Sequence, residues 1–223
     1  MTSSNKKPIL SFDLDGTLMK PGFGDKVWLE GLPRIYADTH HLDLSKAKEE
    51  LLNAYDTLGN TRREWYDLSY WIQKLNLDVT PNELLDKFSS YIQPYQEVPA
   101  LIKKLSKTHM LIISSAAMKP FITIELQTAK LSSYFSNFFS ATSDTNTVKK
   151  DPYFYQMITQ KLNCKPKEII HVGDNFEFDY VSPKKAGLYA VYLNRSNKTK
   201  EKQDQSITSL NELEDHIKKY LFE

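Results

Sequence analysis

An apolar run, Ile9-Leu10-Ser11-Phe12, leads directly into Asp13-Leu14-Asp15-Gly16-Thr17-Leu18, and this junction constrains the chain more than any other segment. Side chains alternate along an extended strand, so two carboxylates separated by one residue start on the same side of it. Gly16 permits the turn that ends the strand and lets the backbone approach an ion or ligand. Open parallel α/β sheets place their ligands at the C-terminal ends of strands. A solvated Asp-Gly turn is the competing reading. It accounts for Asp-Gly alone better than for two acids, Gly and Thr directly after a buried strand.

Three further segments supply what such a strand end needs. Met110-Leu111-Ile112-Ile113 runs into Ser114-Ser115, and Lys149-Lys150-Asp151-Pro152 lies in a polar loop before a helix. Ile169-Ile170-His171-Val172-Gly173-Asp174 repeats the pattern of strand then acid, with Asp179 following. In this order the four segments resemble the motifs of the haloacid dehalogenase (HAD) superfamily, most of whose members are phosphatases. Those motifs are an Asp-x-Asp-Gly-Thr strand end, a Ser or Thr strand end, a Lys before a helix, and Gly-Asp with a second Asp. The resemblance covers essentially the whole chain. It is strong for class and weak for substrate.

The remaining pattern is that of an α/β protein with an insertion. From Asp25 to about Gln93 the apolar spacing is helical, with no convincing strand. One helix carries Val27, Leu29, Leu32, Ile35 and Tyr36, and a second spans 44–58 with Ser45 as a candidate cap. A third, with Thr61 as its cap, carries Trp65, Leu68, Trp71, Ile72 and Leu75. A fourth starts at Thr80-Pro81 with Glu83 and ends near Tyr91. Lys20-Gly24 and Gln93-Pro99 read as two hinges, since Gly and Pro mark chain reversals.

Beyond residue 97, helices 98–107, 119–131, 152–163, 177–186 and 210–221 alternate with strands 109–113, 137–140, 168–173 and 188–193. Continuous apolar strands separated by helices predict a Rossmann-like parallel sheet covered by helices on both faces. The expected division is an α/β core from 1–20 and 95–223, and an inserted all-helical cap domain from 21–94. The resemblance implies a cap of type C1. The polar run Asn194-Gln205 reads as a mobile loop.

Composition excludes several classes. The net charge is +1, with Lys and Arg spread along the chain, so nothing argues for nucleic acid. The one cysteine, Cys164, leaves no internal disulfide and fits a reducing compartment. Met1–Lys7 is polar and is not followed by the long apolar h-region of a signal peptide, and no segment is apolar enough to span a bilayer. A cytoplasmic enzyme, monomer or homodimer, acting on a small phosphorylated molecule is the expectation.

Asp13, Asp15, Asp174 and Asp179 converge as oxygen ligands without His or Cys, which favours a hard cation, Mg²⁺ beside a phosphate. His40-His41 falls in the cap and His171 within a strand, where it reads as a core residue or a support behind the site. Carboxylates, a cation and a Lys together match phosphoryl transfer. The resemblance implies residue roles. Asp13 is the nucleophile and a metal ligand; Asp15 is the general acid and base, with its backbone carbonyl on the metal. Ser114 binds the phosphoryl group, Lys149 offsets its charge, and Asp174 completes the metal site. Asp179 ligates the metal directly or orients a water on it. Backbone N–H groups near Leu14 and Ser115 form a phosphate nest.

Two departures matter. The family loop commonly reads Lys-Pro-Asp-Pro; counting back from Pro152 selects Lys149, with Lys150, which stands where Pro is usual, as the alternative. Ser114-Ser115 replaces the more common Ser or Thr followed by Asn. The rival functions are a phosphomutase sharing all four motifs, a 2-haloacid dehalogenase, and an inactive binding module. Dehalogenases of this superfamily lack the second Asp, and an inactive descendant is expected to lose at least one acid. In the cap, Lys20, Arg62, Arg63, Trp65 and Tyr66 are candidate substrate contacts, set against a solvated face and a cap core.

Overall fold

The computed structural model describes residues 8–145, 147–195 and 205–222. Six strands form one parallel sheet in the order β3-β2-β1-β4-β5-β6. They are β1 (Ile9–Phe12), β2 (Leu111–Ser115), β3 (Asn137–Ser140), β4 (Ile169–Gly173), β5 (Tyr189–Leu193) and β6 (Ser206–Ile207). β1 therefore lies between β2 and β4, the two strands that carry Ser114 and Asp174 at their ends.

Alternation along these strands sorts the core onto two faces. Ile9, Ile112 and Ile169 pack in one apolar cluster with Phe154, Tyr155 and Ile158 of α9 (Pro152–Lys161). Their strand neighbours Leu10, Leu111 and Ile170 pack in a second cluster with α6 (Val98–Leu105), α7 (Lys119–Thr128) and α11 (Leu213–Phe222). Both faces of the sheet are thus covered by helices, as continuous apolar strands require.

Between β1 and β2 the structure is helical. α1 (Phe23–Lys26) continues through a π-helical stretch (Val27–Gly31) into α2 (Leu32–His40), followed by α3 (Leu44–Leu58), α4 (Leu68–Lys74) and α5 (Pro81–Phe88). The α5 start carries a full capping box between Thr80 and Glu83. The expected third helix is split. Residues Arg63–Tyr66 form a 3₁₀ turn, and the Asp67 carboxylate accepts bonds from the Ser69 and Tyr70 amides, starting α4 afresh. The cap of α3 falls at Asp43, not Ser45.

The chain enters and leaves this helical block through two connections lying side by side. The Lys20 amide donates to Gln93 and the Tyr95 amide to Leu18 (2.8 and 3.0 Å), and Met19 pairs with Pro94. Phe121 of α7 stacks on Trp28 and meets Phe23 edge-on, at centroid distances of 6.0 and 5.8 Å.

Short elements escaped the sequence reading. β6 has two residues, and α8 (Ala141–Asp144) and α10 (Ser182–Lys185) have four each. The expected helix from 177 is π-helical over Phe176–Val181 before α10 begins. Most of the expected loop Asn194-Gln205 lies outside the described residues. Arg195, at its start, is well anchored: it donates to the Thr17 carbonyl, pairs with Glu97 at 2.7 Å and stacks 3.6 Å from the Tyr95 ring centroid.

Candidate active site

Register brings the chemistry together. Phe12 pairs with Ile113 on one side and Val172 on the other, so the next residue, Asp13, emerges beside Ser114 and Gly173. The Asp13 amide donates to the Val172 carbonyl at 2.9 Å, holding β1 in line to its last residue. Asp13 is buried, and its carboxylate accepts from the Thr17 hydroxyl at 3.1 Å and from the Lys150 ammonium.

The expected lysine is displaced by one residue. Lys150 is buried and ion-pairs with Asp13 and, at 2.5 Å, with Asp179; Lys149 is exposed, its ammonium 5.9 Å from the Phe178 ring centroid. Asp151 is the N-cap of α9, accepting from the Phe154 amide at 3.0 Å, and Pro152 is the first helical residue. The approach to that cap turns Lys150 into the site and leaves Lys149 at the surface.

Asp179 is reached through a local device. Asn175 caps the π-helical turn by accepting from the Phe178 amide, and its own amide donates to Asp179 at 3.0 Å. A Cβ on Gly173 would sit 2.3 Å from the Asp179 carboxyl carbon, so only glycine leaves room for the acid there. Likewise a Cβ on Gly16, whose φ is +79°, would lie 2.3 Å from a carboxylate oxygen of Asp174. Glycines that look like turn formers in sequence thus seat the two downstream acids.

Electrostatics differ sharply among the four carboxylates. Burial would raise Asp179, but Lys150 and His171 override it and hold the acid at about 2. Asp13 is raised by burial, with Lys150 opposing. Burial alone would lower Lys150, yet Asp13 and Asp179 keep it above the ordinary lysine range. Asp15 and Asp174 open to solvent. Partial withdrawal from bulk water, then the Asp13 charge, pushes Asp15 up to about 7, while Lys150 pulls it down. The same two raising causes lift Asp174 to about 6.

Asp13, Asp174 and Asp179 each offer a carboxylate oxygen within 4.8 Å of the others, an all-oxygen set suited to a hard cation. Asp179 already accepts from Lys150, His171 and the Asn175 amide, so Asp13 and Asp174 are the acids with ligand capacity left. The Asp15 carboxylate does not join the group, which leaves its backbone carbonyl as the expected contribution.

Both serines are buried. The Ser115 hydroxyl accepts from the Ala117 amide at 3.1 Å, shaping the loop into α7, and Ser114 is hydrogen-bonded to Ser11 at 2.7 Å. Thr17, quoted as the last residue of the first motif, joins the site through Asp13, and Ser11 and Tyr155 join it without having been singled out. The signal for Ser11 was a polar residue inside an otherwise apolar buried strand. Of the cap candidates, Arg62 pairs with Glu64 in solvent, Lys20 and Arg63 are exposed, and Trp65 packs against Trp28, Tyr55 and Tyr66.

Among the described residues no helix is long and apolar enough to cross a membrane. No curated protein matches the sequence. Among solved structures, a HAD phosphatase from Thermococcus onnurineus is 25% identical, with a TM-score of 0.75 over 95% of this chain and 97% of that one. The putative HAD-hydrolase YfnB from Bacillus subtilis, bound to magnesium, is 18% identical, with a TM-score of 0.64 over 96% and 100%. A 2-haloacid dehalogenase from Pseudomonas syringae is 19% identical, with a TM-score of 0.67 over 96% and 99%. The sequence profile of haloacid dehalogenase-like hydrolases matches residues 8–187, the span that holds every residue of this site, and the chain belongs to that family.

Proposed function

We propose that this chain is a Mg²⁺-dependent phosphatase that hydrolyses a small phosphate monoester through an aspartyl phosphate on Asp13. The observation that carries the reading is the pairing of Asp13 with buried Lys150, beside a second acid, Asp15, on the same strand end. Displacing halide needs a carboxylate nucleophile but neither a proton donor nor a second cluster of acids. Releasing an alkoxide from phosphorus needs both a proton and neutralisation of charge.

The steps follow from the residues. An Asp13 carboxylate oxygen attacks phosphorus, the bond from phosphorus to the ester oxygen breaks, and Asp15 delivers its proton to the departing alkoxide. Water then attacks the phosphorus of the aspartyl phosphate, Asp15 takes the water's proton, and Asp13 leaves as a carboxylate. Lys150 holds Asp13 oriented and offsets phosphoryl charge, while Asp179 keeps Lys150 in place. Asp13, the Asp15 carbonyl and Asp174 would hold Mg²⁺, which supplies further charge neutralisation at the phosphoryl oxygens.

The test is phosphate release from an aryl phosphate and a panel of sugar and glycolate phosphates, run beside chloride release from 2-chloropropionate. Phosphate release that needs Mg²⁺, stops in EDTA and is lost in Asp13→Asn is the expected result. Chloride release without phosphate release would replace this reading with the dehalogenase. Turnover only when primed with a sugar bisphosphate would make the chain a phosphomutase.

A further inference from the structure

On the α9 side of the sheet, a chain of buried polar groups runs from Ser114 to the Asp179–Lys150 pair through Ser11 and His171, which have no place in the steps above. The Ser11 hydroxyl lies 2.7 Å from the Ser114 hydroxyl on β2 and 2.8 Å from His171 Nδ1 on β4. His171 Nε2 lies 3.0 Å from Asp179 Oδ1, which in turn pairs with Lys150. The Tyr155 hydroxyl closes the chain from below, donating to the Phe178 carbonyl at 2.6 Å and lying 3.1 Å from His171 Nε2. Ser11, Ser114, His171 and Asp179 are all at or near zero exposure, so water does not compete for any of these bonds.

The strand pattern makes this arrangement costly unless every group in it is hydrogen-bonded. Ser11, Ser114 and His171 occupy the same face as Ile9, Ile112 and Ile169, where apolar side chains pack against α9. Three adjacent strands place a polar group on this face, Ser114 level with Asp13 and Ser11 and His171 two residues below the strand ends, and each is matched to the next. A serine hydroxyl has one proton. Whichever partner Ser11 donates to, it must accept from the other, so its bond to His171 fixes the sense of its bond to Ser114.

Resting on the phosphatase reading, and on the phosphoryl contact that the family resemblance implies for Ser114, we propose that Ser11 and His171 are positioning residues that couple Ser114 to the Asp179–Lys150 pair. The link runs across three strands and ties both phosphate-facing groups to one rigid network, so that Ser114 and Lys150 keep a common orientation toward Asp13. Outer partners of this kind commonly carry about a tenfold share of activity.

A double-mutant cycle on phosphate release tests this. Ser11→Ala is expected to lower kcat about tenfold with much less effect on KM. Ser114→Ala is expected to lose more, and Ser11→Ala added to it is expected to cost clearly less than it does alone, because the link to Ser114 is already broken. Losses that multiply, or an unchanged kcat in Ser11→Ala, would overturn the proposal; thermal unfolding of each variant separates both results from misfolding.

A second readout does not depend on turnover. In protein labelled with ¹⁵N-histidine, the His171 ring signals, identified by their loss in His171→Gln, should shift in Ser114→Ala. They should not shift further when Ser114→Ala is added to Ser11→Ala. If the wild type released no phosphate from any ester, the phosphatase reading would fail, and these signals would still decide the link. A His171 signal indifferent to Ser114 would overturn it.

Discussion

Replacing Lys150 by methionine keeps the length of the side chain and removes its charge. In the native structure its side chain is 5% exposed and its ammonium contacts Asp13 and Asp179, whose side chains are 8% and 0% exposed. Lys150→Met therefore leaves two buried carboxylates facing each other without a counter-ion, a change that typically costs about 3–5 kcal/mol. An unfolding entropy of about 2.1 cal/mol/K per residue gives a chain of 223 residues roughly 0.5 kcal/mol/K, so Tm should fall by about 6–10 °C. Lys149→Met alters an exposed side chain and should stay within about 0.5 kcal/mol, or roughly 1 °C.

The assay is thermal unfolding at neutral pH in EDTA, so that no divalent cation takes the place of the ammonium. The sign with pH follows from Asp179. Its folded value of about 2 lies below the unfolded one, so its contribution is full above the unfolded pKa of about 3.9 and is lost as pH falls toward 2. The gap between wild type and Lys150→Met should accordingly be largest near neutrality and shrink on acidification. Equal losses for the two lysine variants, or a larger loss for Lys149→Met, would refute the assignment of Lys150 to the site.

Gly16→Ala places a Cβ 2.3 Å from an Asp174 oxygen at a φ of +79°; it should cost about 1–2 kcal/mol and raise the Mg²⁺ concentration needed for half-maximal phosphate release. An unaltered Mg²⁺ requirement would contradict the seating of Asp174 on Gly16. Glu125 is 2% exposed on α7, and burial, then the charges of Asp15 and Asp13, raise it well above the ordinary carboxylate range. The unfolded chain binds fewer protons there than the folded one, so native stability falls as pH rises past the unfolded carboxylate value. Glu125→Gln should therefore gain Tm relative to wild type at pH 8 and less at pH 5, and a gain independent of pH would count against this. Asp67→Ala removes the acceptor for the Ser69 amide at 2.9 Å and should cost about 1 kcal/mol, read as a Tm drop of roughly 2 °C.

The sheet was legible because its central strands are buried on both faces and read as largely apolar runs, Leu111–Ile113 unbroken and Ile9–Phe12 interrupted by Ser11 alone. The four motif segments were legible because three strand ends carrying acids or serines, and a lysine before a helix, occur together in one order. What stayed hidden depends on how side chains are aimed over one or two residues. Lys149 and Lys150 have the same chemistry, and only the path into the Asp151 cap tells them apart. Asp67 falls within the span expected as one helix, and only its carboxylate bonds to the Ser69 and Tyr70 amides mark the start of a new one. His171 was placed as core or as a support behind the site, but its partners on β1 and on the π-helical turn could not be read without the register of three strands.

Attack of Asp13 on phosphorus is tested most directly by acid quenching during turnover of a phosphate ester with Mg²⁺, followed by mass analysis of the peptide containing Asp13. A phosphoryl group on Asp13, absent in Asp13→Asn, is the predicted result. Sustained phosphate release with that peptide unmodified, or with the phosphoryl group on another residue, would contradict it.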